Sequence, residues 1–186
     1  MLKDAPTHGG VPLTTLSAFA DPSVSVDNAD PIFELTTDLE QHQWTGIVIH
    51  HLGEPAATMQ SIHRRHIQNG YQGLGYHFVI GNGNGLGNGD VHIGYRWTNQ
   101  LPGAHVVGDT GTLHNQHSIA ICLVGDGDRR PFTPDQMKNL VRLVQRLQHR
   151  LDIPSEAVFL HRELAGHVKS PGRFFAAAEL QEGLLQ

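Results

Sequence analysis

Two segments, Gly46-Ile47-Val48-Ile49-His50 and Ser118-Ile119-Ala120-Ile121-Cys122-Leu123-Val124, carry apolar residues at consecutive positions rather than at every second one. A strand with one wet face alternates, whereas a strand apolar throughout is covered on both faces, as inside a parallel or mixed sheet with helices above and below. The intervening and following segments supply such helices. Thr133-Pro134-Asp135-Gln136 has the form of a capping box with Pro at the first helical position. Met137, Leu140, Val141, Val144, Leu147 and Leu151 then recur at three- and four-residue intervals, which predicts an amphipathic helix packed on the sheet. A second helix is expected over Ala56–Asn69, further strands at Tyr76–Ile80 and Ala157–Leu160, and a terminal helix over Phe174–Leu185. The fold class that follows is α/β, a mixed central sheet flanked by helices.

Between YHFVI and VHIGY lies GNGNGLGNGD, whose glycines at 81, 83, 85, 87 and 89 all fall on odd positions. No G-x-G-x-x-G phosphate-binding fingerprint can be written there, and no G-K-[ST] follows. The three Asn-Gly pairs are turn chemistry and predict an antiparallel hairpin. Residues 1–43 are rich in Pro, Asp, Ser and Thr without a sustained period and read as an extended arm, with Phe33 and Leu35 pinning its end as a short edge segment; residues 44–186 form the domain.

Composition excludes several function classes. Lys and Arg number 13 against 18 Asp and Glu, so no basic footprint supports nucleic-acid binding. No run approaches the roughly 18–20 apolar residues of a membrane span, and MLKDAPTHGG has no apolar signal-peptide core. With Cys122 as the single cysteine, any metal is held mostly by His, of which there are 14. Two of these, His50 and His161, close the strands GIVI and AVFL, and strand ends are where α/β proteins place ligand sites.

The ordered blocks WTGIVIHH, HRRHIQNGYQGLGYHFVIGNGNG, GAH, NQHSIAICLVGD, FLHREL and SPGRFF resemble, from about Trp44 to Phe175, the zinc N-acetylmuramoyl-L-alanine amidases of the amidase-2 type. That group includes the peptidoglycan recognition proteins and the phage amidase called lysozyme. The resemblance implies that His50 and His161 ligate zinc, that Tyr76 lies beside the metal, and that Lys169, eight residues after His161, acts at the scissile carbonyl. It places His66 and His105 along the substrate groove, and leaves His51, His63, His77, His114, His117 and His149 structural or at the surface.

The third ligand departs from the family, which has Cys or Asp immediately before Pro-Gly. Here Ser170 stands there, whereas alignment on Lys169 leaves the expected Asp absent. A neutral hydroxyl is a weak zinc donor beside thiolate or carboxylate. His167 is an alternative donor, as is water. The implied activity is zinc-dependent hydrolysis of the amide between N-acetylmuramic acid and L-alanine; the alternative is a non-catalytic peptidoglycan-binding protein of the same fold. Either takes peptidoglycan or muropeptide as partner. The implied setting is extracytoplasmic, with cytoplasmic or phage-borne settings left open.

Overall fold

Strands form where the apolar runs lie, and their pairing follows from which of them can be covered on both faces. A computed structural model of the chain describes residues 30–33, 35, 38–39, 43–108 and 111–185. The five strands are β1 (Gly46–His51), β2 (Phe78–Ile80), β3 (Val91–Ile93), β4 (Ser118–Leu123) and β5 (Val158–Leu160). They lie in the order β3-β2-β4-β1-β5, parallel except for the β2–β3 hairpin. The two fully apolar runs, β1 and β4, are therefore interior strands, paired on both sides, as is the short β2 between β3 and β4.

The sheet's faces differ. Ile47, Ile49, Ile119, Ile121, Leu123, Phe78 and Ile80 point to the larger core. That core is covered by α5 (Pro134–Leu151) through Met137, Leu140, Leu143, Val144 and Leu147, and by α7 (Ala177–Gly183) through Leu180. The capping box forms as expected: Thr133 Oγ1 accepts from the Gln136 amide, and Gln136 Oε1 accepts from the Thr133 amide. Buried Gln136 also donates to the carbonyls of Ile80 and Val124, tying the helix start to the ends of two strands. On the opposite face Val79, Cys122 and Val124 meet a smaller cluster built on Ala57, Leu74, Tyr95, and Met59 and Ile62 of α2 (Met59–Gln68). This thinner cover leaves room for polar side chains at the strand ends.

Several expectations change. Asp30–Phe33 is a helical turn, α1, rather than an edge strand: the Ile32 carbonyl accepts from Trp97 Nε1, and Phe33 packs edge-on against Trp97. Residues 1–29 of the expected arm lie outside the described residues. The strand expected from Tyr76 starts only at Phe78, because His77 turns its ring inward to the backbone of Ala120 and Leu101. The terminal helix is shorter than expected at both ends. Two short helices, α3 (Tyr95–Thr98) and α4 (Gly111–His117), were not legible. The Asn-Gly string does join an antiparallel pair, with positive φ at Gly83, Gly85 and Gly89, but as a ten-residue loop rather than a two-residue turn.

Candidate functional site: a histidine row at the ends of β1 and β5

His50 is the penultimate residue of β1, and His161 is the first residue of α6 (His161–Leu164), directly after β5. Because Ile49 pairs with Leu160, the next residue on each chain reaches the same end of the sheet. Their Nδ1 atoms lie 3.0 Å apart. The other nitrogen of His50, Nε2, is 3.0 Å from Nδ1 of His105. The three rings thus form a row, with His50 in the middle using opposite nitrogens, and cannot converge on one ion. Consistent with that, no group of three or more His, Cys, Asp or Glu among the described residues is arranged to hold a metal.

Burial sets the charge state of the row. His50 and His105 are pushed well below the usual imidazole range, first by burial and then by neighbouring imidazoles, His105 acting on His50 and His77 on His105, and burial takes His161 down to about 4. All three are neutral at pH 7 and present lone pairs. Zinc–nitrogen bonds of about 2.0–2.1 Å put two ligating nitrogens roughly 3.3 Å apart at a tetrahedral angle. The two facing Nδ1 atoms fit a zinc edge after a shift of a few tenths of an ångström. His105 is fixed by Asn115, whose Oδ1 accepts from the amides of His105 and Val106 and whose Nδ2 donates to the Val106 carbonyl. Nε2 of His105 and Nε2 of His161 are buried without a hydrogen-bond partner.

Ser170 is buried beside the row, but its Oγ accepts from the backbone amide of His51 at 2.9 Å. The segment holding it is seated by contact between glycines. A Cβ on Gly127 would lie 1.9 Å from the Pro171 carbonyl oxygen, and Gly172, at φ 99°, would collide with Gly127 in return. The Gly127 amide donates to His51 Nδ1, so the 125–128 turn supports both His51 and the Ser-Pro-Gly segment. His167 is near enough to His161 to depress its protonation, after burial. Lys169 lines a cleft with Asp128, Arg162, Val168 and Arg173.

Tyr76 lies between two imidazoles, its ring centroid 5.4 Å from His50 and 5.2 Å from His66. Its hydroxyl donates to the sulfur of Cys122, and burial, reinforced by Cys122, raises it well above the usual phenol range. Cys122 stands opposite His50 in the β1–β4 register and is itself pushed up to about 12, mainly by burial. His66 is a support: its Nδ1 accepts from the Gly75 amide and its ring faces Tyr71 and Tyr76.

Sequence reasoning missed Cys122 and Asn115. The first could have been found by laying GIVIH beside SIAIC, since His50 and Cys122 are both fifth residues of paired parallel strands. The second carries no motif, because its role depends on the GAH loop folding back onto α4.

The family described as N-acetylmuramoyl-L-alanine amidase, amidase-2, matches residues 40–173, a span containing every side chain of this site. No curated protein matches the chain. Among solved structures, the chain is 26% identical to the endolysin N-acetylmuramoyl-L-alanine amidase LysCS from Clostridium intestinale, with TM-score 0.65 over 80% of this chain and 88% of that one. A tyrosine-to-phenylalanine variant of Drosophila PGRP-LB in complex with tracheal cytotoxin is 21% identical, with TM-score 0.58 over 77% and 85%. Drosophila peptidoglycan recognition protein SD is 20% identical, with TM-score 0.58 over 73% and 78%. The two Drosophila structures share the fold.

Proposed function

The chain belongs to the amidase-2 family of N-acetylmuramoyl-L-alanine amidases, and from that premise we propose that it hydrolyses the amide joining the lactyl group of N-acetylmuramic acid to L-alanine in peptidoglycan, using zinc held by His50 and His161. The single observation that carries this reading is the pair of buried, neutral imidazoles with Nδ1 atoms 3.0 Å apart at the ends of adjacent strands. Zinc bound there would polarise the scissile carbonyl and acidify the attacking water.

The chain's own residues prepare that chemistry. With its proton on Nε2, His50 would donate to Nδ1 of His105, 3.0 Å away, which would leave Nδ1 of His50 bare for a metal and fix the ring's orientation. His105 would then carry its proton on Nε2, a buried atom. His66 serves the groove indirectly by holding the 71–76 loop and the ring of Tyr76. Tyr76 stays protonated at neutral pH, so it acts not as a base but, once its single O–H turns from Cys122, as a hydrogen-bond donor that orients water or the carbonyl. The Lys169 ammonium stabilises the charge that develops on the carbonyl oxygen. Ser170 spends one of its two hydroxyl lone pairs on the His51 amide, so it would complete the ligand set as a neutral donor through the other.

That engaged hydroxyl is the observation favouring the second reading, a peptidoglycan-binding protein without hydrolysis. Metal content separates the two. Protein purified without chelator should hold about one zinc per chain, and His50→Ala and His161→Ala should each lose it while remaining folded. Unchanged zinc in both variants would show the site assignment to be wrong; no zinc in the parent protein would favour the binder. The substrate of either reading is cell-wall material, which supports an extracytoplasmic or phage-borne setting, with a cytoplasmic one left open for released wall fragments.

A further inference from the structure

His63 and His66 of α2 are both buried, and their spacing of three residues puts them on one face of the helix. That face meets the loop 70–75, which runs directly into Tyr76. Nδ1 of His63 accepts from the Leu74 amide at 3.2 Å, and Nδ1 of His66 accepts from the Gly75 amide at 2.9 Å. Two consecutive backbone amides are thus held by two imidazoles. The carbonyls of the same residues are engaged as well: that of Leu74 accepts from Arg96 Nε at 2.6 Å, and that of Gly75 accepts from the Ala104 amide at 3.0 Å. The fit leaves no room for side chains. A Cβ on Gly75 would lie 2.1 Å from the Ala104 carbonyl oxygen, and one on Gly73, at φ 132°, would lie 2.6 Å from Cε1 of His63. The loop that carries Tyr76 therefore also touches the segment that carries His105.

An imidazole accepts a hydrogen bond only while it is neutral. Protonated, it carries N–H on both nitrogens, and Nδ1 would face the backbone amide donor to donor. The groups around the pair oppose that proton. Arg65, ion-paired with Glu54, lies on α2 itself; Tyr95 and Arg96 face the pair from α3, and Tyr71 and Tyr76 face it from the loop. Arg96 spends Nε and Nη1 on the carbonyls of Leu74 and Pro102, which orient the guanidinium without neutralising it. Burial, then Arg65, holds His66 down to about 4, and burial, then Arg96, lowers His63.

We propose that His63 and His66 are a pair of positioning residues: as neutral acceptors they hold the Leu74-Gly75 backbone, and through it Tyr76 and the Ala104-His105 segment, in place beside His50, and their protonation releases that hold. The hold is a property of the loop alone, whereas its service to hydrolysis rests on the amidase reading. In acid the loop opens before the sheet does, because opening it frees the two rings to take up protons without unfolding the core.

Amide hydrogen exchange of the full chain in chelator tests the hold without substrate or metal, read as protection factors so that the intrinsic pH dependence of exchange drops out. A freed His66 returns to the ordinary value near 6.5, so opening of the loop should become about 20-fold more frequent between pH 7 and pH 5, with His63 adding to the change. The Leu74 and Gly75 amides should be less protected than that of Ile121 in β4, which reports global unfolding, and should lose at least about 20-fold of their protection over that range. In the double variant His63→Asn/His66→Asn, where an amide oxygen replaces each Nδ1 as acceptor without titrating, the loss should shrink below about 3-fold. Protection of Leu74 and Gly75 equal to that of Ile121 at both pH values, which needs no variant to establish, or a loss that survives the double substitution, overturns the proposal. Hydrolysis is scored separately at pH 7 with zinc present. His63→Ala, which removes the acceptor, should lower kcat about 10-fold, and His63→Asn should restore it to within about 2-fold of the parent. An unmoved kcat in His63→Ala overturns the positioning role. A parent protein that hydrolyses nothing contradicts the amidase reading instead, and the exchange measurement still decides the hold.

Discussion

The burial of neutral imidazoles makes a quantitative statement about acid stability. His77 is fully buried, its Nδ1 accepting from the Ala120 amide and its Nε2–H donating to the Leu101 carbonyl, and burial pushes it down to about 3. His66, buried under Tyr76, is pushed down to about 4. Both folded values lie below the unfolded value near 6.5, so above that pH the groups are neutral in both states and cost nothing. As pH falls below 6.5 the unfolded chain takes up protons that the folded chain refuses, and stability drops until the folded values are reached. At pH 5 each group has lost about 1.5 pH units at roughly 1.4 kcal/mol per unit, close to 2 kcal/mol. Together they remove about 4 kcal/mol, a large share of the roughly 5–15 kcal/mol typical of a domain. Urea unfolding in chelator at pH 7 and pH 5 measures it, because ordinary carboxylates remain ionised over that range. His77→Gln, which keeps a donor and an acceptor, should lower stability at pH 7 but flatten the pH dependence by about 2 kcal/mol. A change below about 1 kcal/mol between pH 7 and pH 5 in the parent protein would refute the claim that these rings are held neutral by burial.

Tyr76→Phe keeps the ring between His50 and His66 but removes the proton donated to Cys122; amidase activity should fall by roughly 10²–10⁴-fold while peptidoglycan affinity stays nearly constant. Equal loss of both would make Tyr76 a binding residue only. Ser170→Cys replaces a neutral hydroxyl by a potential thiolate and should tighten zinc binding and raise activity, with His167→Ala neutral. Zinc affinity lost in His167→Ala and not gained in Ser170→Cys would move the third ligand to His167.

How much was legible follows the range over which each feature is decided. GIVIH and SIAICLV announce interior strands because coverage on both faces leaves no polar position to hide. Thr133 through Leu151 announces its helix because cap and stripe are both local. His50 and His161 could be paired in advance because each directly follows a short apolar strand run, GIVI and AVFL. By contrast, the conformation of α1 depends on Ile32 offering its carbonyl to Trp97, and nothing in PIFEL encodes a partner more than sixty residues away. The same holds for His105, read as a groove residue: its contact with His50 depends on Asn115 clamping the GAH loop from α4. The basic cleft was illegible because Arg162, Lys169 and Arg173 meet around a turn buttressed by Gly127, so their charges sum only once that contact exists.

The claim at the centre of this account is amide hydrolysis at the ends of β1 and β5, and purified peptidoglycan tests it most directly. Incubation with the zinc-loaded protein should release free L-alanine amino termini and intact glycan strands, with release stopped by chelator, restored by zinc and absent in His161→Ala. Peptidoglycan that is bound but yields no new L-alanine amino termini under those conditions would contradict it and leave a binding protein.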